Sequence, residues 1–252
     1  MKVLIITDER TGGTSFNRIC GAMIGGLYVD DINTHFENFK HRNSDSWAYN
    51  FDIKNKIGLT AYFDKYETFA NVDIYDMIIF LFSNGINVFK LTINNESWTE
   101  KQISDLINKL NSNNNNNFLI IKLIRQNNFN KILSKCVAIK LYEKIGSQAY
   151  DIKTEKHVIS INLADFKYVC GIKMHTHQII NKIIVSLDNV FVYESFYENI
   201  EEVNRLQKLL NVDTINDPDL FAENYYKNYQ SENVTVANIA ELQNIFYTSY
   251  YH

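Results

Sequence analysis

Proline is almost absent from this 252-residue chain: Pro218 is the single one. Cysteine and glycine are sparse as well, at three and nine residues. No apolar run is long enough to span a bilayer, so no transmembrane helix is expected. Cys20, Cys136 and Cys170 are widely spaced in apolar surroundings. That spacing speaks against a disulfide framework and for reduced thiols in a cytoplasmic protein. Met1-Lys2 leads straight into an apolar run without signal-peptide architecture, and the cytoplasm is again the expected location. Excess charge is missing too. Lys and Arg number 25 against 29 Asp and Glu, a formal net charge of −4 with a pI near 5.9. This balance offers no electrostatic basis for binding nucleic acid or an anionic membrane, so any anion site must be built from local positive charge.

What is present supports a substantial core. Hydrophobic residues make up 46% of the chain and aromatic residues 13%. One domain over residues 1–252 is expected, with a helical C-terminal part from about residue 196. Val3-Leu4-Ile5-Ile6 is an apolar, β-branched run that reads as a buried strand. Phe16, Cys20, Met23 and Ile24 then recur at helical spacing until Gly25-Gly26. Ile74, Met77, Ile78, Leu81 and Phe82 predict a buried helix closed by Asn84-Gly85, and Val88-Phe89-Lys90-Leu91 reads as the next strand. Thr99 and Gln102 have capping-box spacing ahead of Ile103, Leu106, Ile107 and Leu110. The Asn-rich stretch from Asn111 to Asn117 reads as a solvated loop.

Residues 118–124 form the clearest buried strand, ending at Arg125, with a helix expected from about Phe129 to Tyr142. A long helix is expected across residues 163–185, a short strand at Val190-Phe191-Val192-Tyr193, and a helix marked by Val203, Leu206, Leu209 and Leu210. Strands alternating with helices imply an α/β fold with a parallel sheet covered on both faces. Ligands of such sheets sit at the carboxyl ends of the strands. The turn at residues 7–15, the segment after Leu91 and the stretch beginning at Arg125 all fall there.

The turn after the first strand reads Thr7-Asp8-Glu9-Arg10-Thr11-Gly12-Gly13-Thr14-Ser15-Phe16. A strand, a Gly/Thr/Ser turn and a helix N-terminus make a phosphate cradle, because the helix start offers unpaired N–H groups and partial positive charge. The turn lacks the Lys that comes after the last Gly of a nucleoside-triphosphate loop, G-x-x-x-x-G-K-[ST]. It also lacks the G-x-G-x-x-G of a dinucleotide site. Its basic residue, Arg10, precedes the glycines.

Arg10-Thr11-Gly12-Gly13-Thr14-Ser15-Phe16 instead resembles the 5′-phosphosulfate loop of sulfotransferases, roughly [RK]-[ST]-G-[STG]-[ST]-x-[LWF]. The stretch from Leu123 to Ser134, with Arg125 and Asn127, resembles the 3′-phosphate motif of the bacterial branch that sulfates trehalose and nodulation factors, L-x-R-x-N-x-x-x-x-x-x-S. Val190 to Asn199, then Leu206-Gln207-Lys208-Leu209-Leu210, resembles that branch's "v-x-Y-E-D-L-x-x-N" region. Val236-Ala237-Asn238-Ile239-Ala240-Glu241-Leu242 resembles its terminal "I-x-N-x-x-E-L". The four segments occur in the same order over nearly the whole chain. The resemblance implies a P-loop-NTPase-like, three-layer α/β/α fold with a central parallel sheet. It also implies transfer of a sulfuryl group from 3′-phosphoadenosine 5′-phosphosulfate (PAPS) to a hydroxyl, leaving 3′-phosphoadenosine 5′-phosphate (PAP).

On that resemblance, the N–H groups of residues 11–15 and the Thr14 and Ser15 hydroxyls would hold the 5′-phosphosulfate, with Arg10 offsetting charge on the leaving oxygens. Arg125 and Ser134 would hold the 3′-phosphate, and no metal is required. Thr34-His35-Phe36-Glu37-Asn38-Phe39 resembles the branch's "x-h-x-E-P-F", with Asn38 in place of its proline; Glu37 is the expected base and His35 the second candidate. Lys90 matches the Lys of a "G-x-K-l" element. The implied acceptor is a carbohydrate or another small alcohol; Trp47, Tyr49, Tyr62 and Tyr66 would either stack on a sugar or belong to the core. His175 and His177 lie i, i+2 on a helix, where they point apart and are expected to be solvated rather than to chelate a metal. Two other readings stay open: an inactive nucleotide-binding module of the same fold, and a P-loop-type kinase. The oligomeric state is not legible.

Overall fold

The apolar run at the N-terminus is buried on both faces because it lies at the centre of a parallel sheet. The computed structural model describes residues 1–9, 11–29, 58–93, 98–112, 118–145, 156–212 and 234–250. Strand β1 (Val3–Asp8) hydrogen-bonds to β3 (Val88–Ile93) on one side and β4 (Leu119–Ile124) on the other. β2 (Tyr28–Val29) and β6 (Val190–Val192) occupy the edges, giving the order β2-β3-β1-β4-β6 with every pair parallel. A second, two-stranded parallel sheet pairs β5 (His157–Ile159) with β7 (Val234–Val236). Neither of these short strands was legible in the sequence, and β7 lies inside the C-terminal part read as helical.

Side-chain alternation along the strands divides the core into two layers. Val3, Ile5, Val88, Ile121, Leu123 and Phe191 face α1 (Gly13–Met23), the short α7 (Tyr193–Phe196) and α8 (Ile200–Leu210). Leu4, Ile6, Phe89, Leu91 and Ile93 face the opposite way. They pack against α2 (Leu59–Phe63), α3 (Ile74–Ser83), α4 (Glu100–Ser112) and the last turn of α6 (Leu163–Asn181). Helices on both faces of the parallel sheet make the three layers. A third cluster joins α5 (Asn128–Ile145), the first half of α6, the β5–β7 pair and α9 (Ile239–Ser249) through Phe129, Ile132, Ile159, Phe166, Leu242 and Phe246.

The local signals are satisfied where they predict an element. The five positions that predict α3 are its five buried residues, and Asp73 caps it by accepting from Asp76 N at 3.1 Å. Thr99 N donates to Gln102 Oε1 at 3.0 Å while Gln102 N donates to Thr99 Oγ1 at 3.2 Å, a reciprocal capping box opening α4. Boundaries shift in two places that matter. α6 ends at Asn181 rather than near 185, and β3 continues to Ile93, which moves Lys90 from a strand end into the strand interior. Cys20, Cys136 and Cys170 are buried thiols with no bond between them, and burial pushes Cys136 and Cys170 up to about 12. Among the described residues, no helix is long and apolar enough to cross a membrane.

Candidate functional site

Because the central strands are parallel, their carboxyl ends lie along one edge, and the turns leaving β1, β4 and β6 are neighbours. The β1–α1 turn reverses at Gly12, the N-cap of α1, in the left-handed region (φ 71°, ψ 16°). Its N-cap, Gly12, has no side chain to cap the helix, and no acidic residue lies in the first turn. The first intrahelical bond runs from Phe16 N to Gly12 O at 3.1 Å, so the amides of Gly13, Thr14 and Ser15 lie outside the helical ladder.

Side chains around the turn divide into two kinds. Thr11 is buried, with its hydroxyl donating to Asp8 O at 2.6 Å and touching the Thr7 hydroxyl, so only its backbone can face a ligand. Thr14 instead receives the ammonium of Lys90, which donates to its Oγ1 at 2.8 Å. Lys90 is only 3% exposed, and its chain runs up from mid-strand beneath the turn. Gly13 leaves room for that stem, since a Cβ there would come within 3.0 Å of Lys90 Cδ and 2.9 Å of Thr7 Cγ2. Ser15 is buried in the first turn of α1.

Arg125 and Tyr193 are the first residues past β4 and β6, whose register ends on the pair Ile124 and Val192. The Arg125 guanidinium lies 4.9 Å from the centre of the Tyr193 ring, and its Nε is 3.6 Å from Glu194 Oε1. The Cδ2–Cε2 edge of that ring fills the space where a Gly12 side chain would project. Thus the turn at Gly12 and the strand-end arginine, predicted separately, share one aromatic ring as a common wall. Ser134 lies half-buried on α5, one helical turn beyond Lys131.

Beside this edge lies a charge network that sequence reasoning missed. Asp8, 4% exposed, is held by Lys173 Nζ at 2.8 Å and Lys131 Nζ at 3.1 Å. Glu9 Oε2 is 3.1 Å from Lys173 Nζ and 2.7 Å from Lys135 Nζ. Burial alone would raise the Glu9 carboxyl, but Lys173 and Lys135 outweigh it and bring it down to about 2. For Lys173 burial disfavours the cation, and Asp8 and Glu9 overcome that and raise it. A signal for this network exists: Lys173 interrupts the apolar stripe of α6 formed by Phe166, Val169, Cys170 and Ile180. A lysine on a buried stripe requires a carboxylate from elsewhere in the fold.

The structure disposes of the remaining predicted residues in different ways. Arg10, His35, Glu37, Trp47 and Tyr49 lie outside the described residues. Tyr62 is core: it is 9% exposed and stacks on Phe80 with centroids 4.3 Å apart, and Tyr66 packs against the same cluster. His175 is exposed as expected, but His177 is half-buried, and burial together with Lys131 lowers its basicity. The correction comes from the i, i+2 spacing, which turns His177 towards the Asp8 network while His175 faces solvent. Among the described residues, no three His, Cys, Asp or Glu side chains are gathered as metal ligands. No protein-family model matches the chain, and a search of curated proteins finds no significant match.

Proposed function

We propose that this chain is a sulfotransferase of P-loop-NTPase-like architecture, moving a sulfuryl group from PAPS to a hydroxyl of a carbohydrate acceptor. The observation that carries this reading is that Gly12 and Arg125 both lie against the Tyr193 ring. It brings together the two segments that resemble the donor's 5′ and 3′ anchors, although they are far apart in the chain. The strand order, with β1 central and leading through a glycine turn into α1, supports the architecture.

The donor's two ends would be held by different groups. Amides at the start of α1, with the Thr14 and Ser15 hydroxyls, bind the 5′-phosphosulfate at a helix N-terminus, where anions are favoured. Arg125 and Ser134 bind the 3′-phosphate, the guanidinium offering a planar fork to its oxygens. PAPS supplies the sulfuryl group: a bond forms between sulfur and the acceptor oxygen as the bond from sulfur to the 5′-phosphate oxygen breaks. Glu37 takes the acceptor proton, with His35 as the second candidate. Arg10 and Lys90 offset the charge left on the phosphate oxygens, so the protein's work is positioning and electrostatic.

Calorimetry with PAP tests the donor site. The unaltered chain is expected to bind PAP, and Arg125→Ala to weaken binding by on the order of tenfold or more. PAP affinity unchanged by both Arg125→Ala and Arg10→Ala would sink the donor site. Turnover of labelled PAPS over a panel of sugars and small alcohols then tests chemistry. Binding without turnover indicates the nucleotide-binding module, and unimpaired turnover by Glu37→Ala removes Glu37 as the base.

A further inference from the structure

Two anion anchors on separate loops act on one ligand only when their spacing is held. In this chain a single short segment holds both. The Tyr193 ring lies against Gly12 with its Cδ2–Cε2 edge, and the Arg125 guanidinium is 4.9 Å from its centroid. Glu194, the next residue, accepts from Gln126 N at 3.1 Å and Asn127 N at 3.0 Å, and sits 3.6 Å from Arg125 Nε. Its carboxylate therefore ties down the turn after Arg125 as well as the arginine itself. One helical turn later, the Tyr197 hydroxyl donates to Gly12 O at 3.4 Å, and its ring meets Tyr193 edge-on at 5.1 Å.

We propose that Tyr193 and Glu194 are positioning residues that lock Arg125 to the β1–α1 turn and so select nucleotides carrying two phosphate-type anions over those carrying one. This rests on the sulfotransferase reading of the site. The physical basis is preorganisation. An arginine loses rotamer freedom when it grips an anion, and a ring beneath it and a carboxylate beside it remove that freedom before the ligand arrives. Tyr193 sets the distance from the turn, and Glu194 sets the direction of the guanidinium.

The test compares calorimetric affinities for PAP and for adenosine 5′-monophosphate, which lacks the 3′-phosphate. The unaltered chain is expected to prefer PAP by on the order of tenfold to a hundredfold. In Tyr193→Ala the preference falls to within about threefold of unity, while Tyr193→Phe keeps it, because the ring is retained. Glu194→Gln lowers the preference severalfold and carries the test if Tyr193→Ala does not fold. A loss of structure alone weakens both nucleotides together and leaves their ratio unchanged. An unchanged ratio in Tyr193→Ala, or in Glu194→Gln where the first variant fails, overturns this inference while PAP binding by the unaltered chain still supports the functional reading. A ratio that rises in Glu194→Gln also overturns it, by marking Glu194 as a competitor for Arg125. Absence of PAP binding by the unaltered chain overturns both.

Discussion

Two charged regions flank the end of β1, and they are built on opposite plans. On the α5/α6 side, Asp8 and Glu9 are matched by Lys131, Lys135 and Lys173, with the Lys131 and Lys173 side chains 2% exposed. On the α1 side lie the helix amides, Lys90 donating to Thr14, and Arg125 with its Nε 3.6 Å from Glu194. The first region sets two carboxylates among three ammonium groups, held together by ion pairs within the fold. The second places the helix amides, Lys90 and Arg125 near the carboxyl edge of the sheet, where parallel sheets hold their ligands. Buried charge is thus not in itself a sign of a ligand site, because ion pairs within the fold bury charge as well.

The sharpest way to break this comparison is to remove the acid at the centre of the network. Asp8→Ala leaves Lys131 and Lys173 buried without their carboxylate and should cost about 3–5 kcal/mol of stability, read by urea denaturation. A loss below about 1 kcal/mol would mean that the network is not scaffold. Acid titration probes the same region. The Glu9 carboxyl lies at about 2 in the folded chain against an ordinary value of 4.5. As pH falls the unfolded chain takes up the proton first. The associated stability, on the order of 3 kcal/mol, is therefore fully present above about 4.5 and is lost as pH falls towards 2. Glu9→Gln should flatten that slope in denaturation midpoints measured between pH 5 and pH 3.

Substitutions on the α1 side should behave differently. Lys90→Met keeps an apolar stem beneath the turn and removes the ammonium from Thr14. PAP affinity should fall by on the order of tenfold. The denaturation midpoint should move much less than with Asp8→Ala; an equal loss of stability would erase the distinction between the two regions. Gly12→Ala combines two effects. Its left-handed backbone disfavours any Cβ, at about 1 kcal/mol, and the added methyl would overlap the Tyr193 ring and push it aside. A thermal melt measures the first effect and the PAP titration the second.

The parts legible in the sequence are those set by neighbours within a few residues. Ile74, Met77, Ile78, Leu81 and Phe82 announce α3 because a helix repeats its face every three or four positions. Thr99 and Gln102 announce the start of α4 because their side chains reach each other's amides across three residues. The glycine turn after β1 and the arginine after β4 are legible for the same reason, each being a local break at the end of an apolar run. Tyr193 stood inside a recognisable segment, yet nothing local showed what its ring touches.

Strand order decided the rest. The chain visits β1, β2, β3, β4 and β6 in turn, but β1 lies between β3 and β4. That arrangement sets Lys90 beneath the Gly13 turn and, through Tyr193, sets Arg125 beside Gly12. It also brings Asp8 against Lys173, a partner 165 positions away. Such pairs have no sequence period because their spacing depends on which strands hydrogen-bond. The sequence by itself determined where the strands, helices and anion-favouring turns lie, since those depend on local burial and backbone chemistry. Only the tertiary structure decided which charged groups meet, because that requires groups from distant segments to be brought within a few ångströms.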